Sequence, residues 1–269
     1  MGQLFGARLQ HAGQEVFDTH QDAKAYKASD LKEKVDFVQV FTKGMYTRDA
    51  LAGANHIFTD ETIGLTLQNG LGNGNPLLEV FGPERTLVGV TDYSADRDGQ
   101  TIRSSDYGHI AMGDYVSDGK PSEAAHLVFE ALKSAGFEIG LFENVHIPIW
   151  EKLIFNTAVN TIGGSTGMTL GQTGKSAPGS RLLEQILNES LAVARAEGID
   201  VREEFIRASL NKVFDTIPEH KTSMTADIEA GRPTEIETIG GAIELVGRKH
   251  GVPTAVLSAL CDVVRARSL

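Results

Sequence analysis

Between Trp150 and Asn160 the chain reads W-E-K-L-I-F-N-T-A-V-N, and Lys152, Asn156 and Asn160 recur at every fourth position. An α-helix turns once in about 3.6 residues, so these polar groups stack along one face. Leu153, Ile154, Phe155, Ala158 and Val159 between them are apolar, and no charge follows Lys152 until Lys175. A surface helix would set several charges opposite its apolar stripe. The pattern therefore predicts a largely buried helix with a narrow polar line of one ammonium and two amides. Buried polar groups are costly unless something satisfies them, and a bound polar ligand is one such partner. The alternative is that Lys152 stands in water at a helix start while the asparagines cap nearby backbone.

A chain of 269 residues with 41% apolar content supports one large or two moderate domains with real cores. Its net charge of −11 argues against binding nucleic-acid phosphates or a membrane surface through basic patches. No apolar run reaches the roughly 20 residues that span a bilayer, and the N-terminus shows no charged-then-apolar signal pattern. The single cysteine, Cys261, excludes an intrachain disulfide and fits a reducing compartment. A cytoplasmic protein with neither a nucleic-acid nor a membrane partner is expected.

Leu4, Phe5 and Leu9 form a helical stripe that closes near Gly13, and Glu15–Phe17 read as a strand with Asp18 at its end. Helix, then strand, then acid is the second half of a dinucleotide-binding unit, in which the acid accepts hydrogen bonds from the adenosine ribose. Of the G-x-G-x-x-G fingerprint only Gly2 is present. Val35–Thr42 read as a buried parallel strand followed by Lys43, and Ile63–Leu67 as another running into Gln68-Asn69-Gly70-Leu71-Gly72. Such strands describe the carboxyl edge of a doubly wound sheet, where ligands bind, and Lys43 and Asn69 fall there. The plainer alternatives are a solvated lysine and an ordinary Asn-Gly turn.

Leu51–His56 are ambiguous. Thr86–Thr91 predict a strand, Ala95–Gly99 a turn, and Gln100–Arg103 with His109–Gly113 an antiparallel pair. A helix capped by Ser122 is expected to Ala135, a short strand over Phe137–Phe142, and a linker over Asn144–Pro148. Gly163, Gly164 and Gly167 are expected to break the central helix. Helices then follow over Arg181–Glu197, Glu203–Thr216, Thr234–Lys249 and Val252–Ala266. Thr234 would cap the third of these, with Glu235 in its first turn, where the helix dipole favours an acid whatever its function. The fold class is α/β: a Rossmann-like dinucleotide-binding domain over residues 1–145 and an all-helical domain over residues 146–269.

M-G-Q-L-F-G-A-R-L, F-T-K, L-Q-N-G-L-G, W-E-K-L-I-F-N-T-A-V-N and S-M-T-A-D-I-E-A-G-R-P-T-E-I-E follow one another along nearly the whole chain. In that order they resemble the ketopantoate reductase (2-dehydropantoate 2-reductase) family. The resemblance implies an N-terminal dinucleotide domain, a helical C-terminal domain like that of 6-phosphogluconate dehydrogenase, and an active site in the cleft. It implies reduction of 2-dehydropantoate to D-pantoate by NADPH, a step of pantothenate synthesis. By resemblance Lys152 is the general acid, and Glu235 a catalytic group near the nicotinamide ribose. Asn156 and Asn160 hold the hydroxyl and carboxylate side of a small 2-keto acid, and Ser223 binds its carboxylate. Gly2, Asp18, Lys43, Asn69, Ala95 and Glu235 fall on the cofactor's side. The chemistry agrees: hydride arriving at a keto carbon leaves charge on oxygen, which a positioned ammonium stabilises and protonates.

Departures from the family pattern carry expectations of their own. A strand and two glycines are expected ahead of Gly2, and a longer stretch between Gln21 and Val35. One asparagine after Asn160 is lacking, and His220 stands where another is common, so a different keto acid is open. An acid at position 18 repels a 2′-phosphate and favours NAD(H). That is the pattern of a branch acting as D-2-hydroxyacid dehydrogenases, D-mandelate dehydrogenase among them. A non-catalytic dinucleotide-binding protein is the alternative of another class. The apolar helical C-terminal half suits a homodimer or a single core.

Overall fold

The β-rich and helix-rich halves of the pattern fold into two units. The computed structural model describes residues 1–16, 28–98, 101–104 and 107–269. One unit comprises Met1–Gln68 and Gly72–His146, the other Asn69–Leu71 and Ile147–Leu269.

In the first unit, β1 (Phe37–Val40), β2 (Ile63–Thr66), β3 (Thr86–Thr91), β6 (Ile110–Asp114) and β7 (Ile139–Leu141) form one sheet in the order β1-β2-β3-β6-β7. The β1–β2, β2–β3 and β6–β7 pairs are parallel, whereas β3 and β6 run antiparallel with Gly89 opposite Met112. Gly89 is required there: a Cβ would lie 2.2 Å from the Ala111 carbonyl oxygen. Phe5 and Leu9 of α1 (Gly2–His11) and Val128 and Leu132 of α4 (Glu123–Ser134) pack with Leu65, Leu87, Ile110 and Met112. Leu51 of α2 (Thr47–Ala54) and Leu77 and Phe81 of α3 (Gly74–Phe81) form a separate cluster with Val40. Apolar strands of this kind need cover on both faces. The ambiguous stretch 51–56 is thus mostly helix, because Leu51 and Ala54 are buried. Ser122 caps α4, its Oγ accepting from the Ala125 amide at 3.0 Å.

Several expectations change in this unit. Glu15 and Val16 form no strand, and Phe17 and Asp18 lie outside the described residues. The turn expected at Ala95–Gly99 is a strand, β4 (Ala95–Asp98), paired antiparallel with β5 (Thr101–Ser104). Residues 109–113 are therefore not the partner of 101–104. Ile110 and Met112 are fully buried, and that burial draws β6 into the main sheet. The linker expected over 144–148 is helical from His146, since α5 (His146–Thr166) takes Pro148 into its first turn, where a missing N–H costs nothing.

The second unit is helical: α5, α6 (Leu170–Lys175), α7 (Ala177–Ala196), α8 (Glu203–Thr216), α9 (Ser223–Glu229), α10 (Gly240–His250) and α11 (Ala255–Arg267). Trp150, Leu153, Ile154 and Ile162 of α5 sit in one core with Ile186, Leu210, Ile243 and Leu257. Gly163 and Gly164 do not break α5. They let α9 approach, because a Cβ would lie 2.9 Å from Thr225 Oγ1 at Gly163 and 3.1 Å from Met224 Cγ at Gly164. Gly167, at φ 77°, follows the end of the helix.

The helix expected from Thr234 begins only at Gly240. Thr234 therefore does not cap it, and Glu235 is not in its first turn. Residues 236–239 form a turn that ends at Ile239 with φ −106° and ψ −94°, outside the helical region. Gly240 then permits close packing on α11, since a Cβ would lie 2.6 Å from Cys261 Sγ. Among the described residues no helix is long and apolar enough to cross a membrane.

Candidate functional site

The polar line of α5 survives folding. Lys152 lies well inside the helix and is half-buried, while Asn156 and Asn160 are 7% and 6% exposed. Lys152 is thus not a solvated residue at a helix start. Its Nζ stands 5.3 Å from the centroid of the Phe155 ring, a distance at which an ammonium is attracted by the aromatic face. The neighbouring Glu151 is also buried, its carboxylate accepting from the Arg202 backbone N–H, Nε and Nη2 at 2.9, 2.8 and 2.7 Å. That clamp anchors α5 to the start of α8 just beside the lysine.

Asn156 Nδ2 donates to Asn69 Oδ1 at 3.2 Å, and Asn69 belongs to the second unit. The Asn160 amide has no hydrogen-bond partner among the described residues. It can be matched by a ligand without breaking anything. Ser223 is exposed and opens α9, where Thr222 provides the N-cap. The Thr222 and Thr225 hydroxyls lie close against Gly163, one helical step beyond Asn160. Glu235 is half-buried ahead of α10, and its carbonyl accepts from the Thr238 N–H and Oγ1, each at 3.2 Å. The Thr238 carbonyl in turn accepts from the Leu71 N–H at 2.9 Å. Within the second unit, then, Asn69 meets Asn156, and Leu71 meets the turn that follows Glu235.

The remaining candidates lie in the first unit. Gly2 opens α1, whose first turn holds no acid, so its N-terminal amides suit an anion such as a pyrophosphate. Lys43 follows the carboxyl end of β1, immediately before a short 3-10 turn at Gly44–Tyr46. Ala95 opens β4 in the two-stranded ribbon, and Asp18 lies outside the described residues. A basic side chain beside parallel strand ends, together with an acid-free helix start, fits an anionic dinucleotide. No group of three or more metal-ligating side chains occurs among the described residues.

Sequence reasoning passed over Gln68. Its Oε1 accepts from Thr66 Oγ1 at 2.7 Å, and its Nε2 donates to Thr47 Oγ1 at 3.0 Å and to the Thr42 carbonyl. This single amide ties the end of β2 to the loop that carries Lys43. The only local signal is its place at the head of Q-N-G-L-G.

Residues 17–117 match the family model described as ketopantoate reductase PanE/ApbA, and residues 144–268 match its C-terminal model. A 2-dehydropantoate 2-reductase of Halobacterium salinarum is 30% identical over 233 residues, 86% of this chain and 75% of that protein. One of Archaeoglobus fulgidus is 29% identical over 290 residues, 98% of this chain and 94% of that protein. Among solved structures, the ternary structure of D-mandelate dehydrogenase with NADH and anilino(oxo)acetate matches with a TM-score of 0.89 at 26% identity. That match covers 100% of this chain and 95% of the other.

Proposed function

The chain belongs to the ketopantoate reductase family, and from that premise we propose that it is a 2-dehydropantoate 2-reductase, using NADPH to convert 2-dehydropantoate into D-pantoate. The supporting observation is the line of Lys152, Asn156 and Asn160 along a helix whose other sides are core. In this assignment residues 1–145 hold the dinucleotide and residues 146–269 hold the keto acid and the proton donor.

When bound, NADPH supplies the hydride that attacks the 2-keto carbon. Lys152 donates a hydrogen bond to the keto oxygen, stabilises the charge that develops there and delivers a proton to it. Asn156 and Asn160 orient the hydroxyl and carboxylate side of the substrate, and Ser223 holds the carboxylate. These neutral groups fix an anion without trapping it in an ion pair. Glu235 acts near the nicotinamide ribose. Gly2, Lys43, Asn69 and Ala95 contact the dinucleotide, with the Lys43 ammonium suited to a phosphate.

The test is loss of NADPH absorbance on adding 2-dehydropantoate. Lys152→Ala should lower kcat by about a thousandfold while the protein still binds NADPH. No oxidation by the wild-type protein would remove the proposal.

A second reading is an NADH-dependent D-2-hydroxyacid dehydrogenase. The likeness to D-mandelate dehydrogenase with NADH favours it, as does the acid at position 18. Faster turnover of an aromatic 2-keto acid with NADH than of 2-dehydropantoate with NADPH would select it. We assign the enzyme to the cytoplasm, which suits its one free, buried thiol, Cys261. We expect a homodimer, for which Leu245 on α10 and Val263 on α11, 62% and 42% exposed, offer apolar surface. A monomeric mass in sedimentation would remove the dimer.

A further inference from the structure

The chain leaves the first unit at Gln68 and returns to it at Gly72, and the residues between, Asn69–Leu71, belong to the second unit. Each is attached there differently. Asn69 Oδ1 accepts from the Asn156 amide at 3.2 Å. The Leu71 N–H donates to the Thr238 carbonyl at 2.9 Å, and the Leu71 side chain packs against the helical core. Gly70, between them, has φ 95°. A Cβ on it would lie 2.2 Å from the Thr238 carbonyl oxygen and 2.7 Å from that carbonyl carbon.

Both constraints select glycine. Positive φ is strained for any side-chain-bearing residue. The two nearest atoms a Cβ would meet are backbone and the third is Thr238 Cβ, whose place the backbone sets, so no rotamer change relieves the clash. Thr238 is itself tied to Glu235, whose carbonyl accepts from the Thr238 N–H and Oγ1. The three-residue strap therefore joins the amide line of α5 to the turn that follows Glu235. A side chain at position 70 would push the strap away from Thr238 and disturb both attachments together.

We infer that Gly70 is a positioning residue: through Asn69 and Thr238 it holds Asn156 and Glu235 in register for the substrate. This deepens the proposed reduction and rests on it for the identity of the substrate. The group acts at one remove, so its signature is a loss larger for the keto acid than for the dinucleotide.

Gly70→Ala and Leu71→Ala test it, the second weakening the same strap by removing its apolar anchor while leaving the backbone contacts available. Both are compared with wild type in steady-state kinetics with NADPH and 2-dehydropantoate, in calorimetric NADPH binding, and in amide hydrogen exchange over residues 235–241. Gly70→Ala should lower kcat/KM for the keto acid by about tenfold or more, and Leu71→Ala by about threefold. The Kd for NADPH should rise by a smaller factor than kcat/KM falls, because Gly2, Lys43 and Ala95 lie outside the strap, and residues 235–241 should exchange faster in both variants.

A folded Gly70→Ala protein with kcat/KM within about twofold of wild type overturns the inference. So does NADPH affinity that falls in step with keto-acid turnover, which is the mark of general damage. If Gly70→Ala does not fold, Leu71→Ala decides by the same criteria, and unchanged kinetics and exchange in it overturn the inference. Exchange does not depend on turnover: a wild-type protein inactive on 2-dehydropantoate removes the proposed function, whereas unchanged exchange over 235–241 removes the strap.

Discussion

Asn160 separates the demands of folding from those of binding. It is buried, yet its amide has no hydrogen-bond partner among the described residues. Removing it leaves no protein group newly unpaired, so Asn160→Ala should change unfolding free energy by less than about 1 kcal/mol. The KM for the keto acid should rise by about tenfold, the worth of one hydrogen bond to a charged ligand. Urea unfolding and kinetics on the same preparation check this, and a large loss of stability with unchanged KM would sink it. Cys261 makes the converse case. Burial pushes its thiol far above the usual range, and the nearby Glu244 carboxylate pushes the same way. The thiolate is the reactive form. Alkylation at mildly alkaline pH should therefore run at least about a hundredfold slower in the native protein than in the denatured chain. Rapid native labelling would contradict that burial. At this scale much was legible: the spacing of Lys152, Asn156 and Asn160 put them on one face, and the apolar residues between them pointed to a largely buried helix. Gln68 and Thr238 were not legible, because their partners carry no local pattern.

Among the elements, α5 has the heaviest duties, and its anchor is electrostatic. Glu151 is 3% exposed at the side chain and Arg202 59% exposed, so one partner is buried and the other remains in water. Pairing a buried carboxylate adds little net stability over an apolar contact, but removing its partner is costly. Arg202→Ala should destabilise the protein by ~2 kcal/mol, discounted for the exposure of the arginine. Denaturant titration measures this, and a change below about 0.5 kcal/mol would show that the clamp is idle. The same helix shows why glycine misleads. In a sequence, Gly163 and Gly164 read as a break; in the fold they are the close approach that seats α9 against α5. The delayed start of α10 has the same origin. The apolar spacing of Ile236, Ile239 and Ile243 looks helical, and all three are buried, but the Thr238 carbonyl is engaged by Leu71 and the backbone turns before it coils.

For the molecule as a whole, a ligand that binds only the folded state stabilises it by mass action. At about a hundred times its Kd, NADPH should add ~2.7 kcal/mol to the unfolding free energy. NADH at the same concentration should add less, and the reverse order would favour the NADH-dependent reading. Thermal or urea unfolding with each cofactor makes the comparison. Much of the architecture was readable in advance, since strand runs such as Thr86–Thr91 and helical stripes such as that of α7 imprint their period on neighbouring residues. The ribbon of β4 and β5 was misread because A-D-R-D carries no apolar alternation to announce a strand.

By itself the sequence determined which stretches bury a face, the single polar line among them, the order of strand-rich and helix-rich halves, and the family. All of these are written in short-range periodicity or in motifs read in order. Only the tertiary structure decided that α5 runs through its glycines, that α10 waits until Gly240, and that Asn69–Leu71 joins the helical unit. Each of these outcomes goes with a contact between groups far apart in the chain: Gly163 against the Thr222 and Thr225 hydroxyls, and the Leu71 N–H on the Thr238 carbonyl. A contact between distant residues is set by how whole elements pack, and packing leaves no local pattern to read.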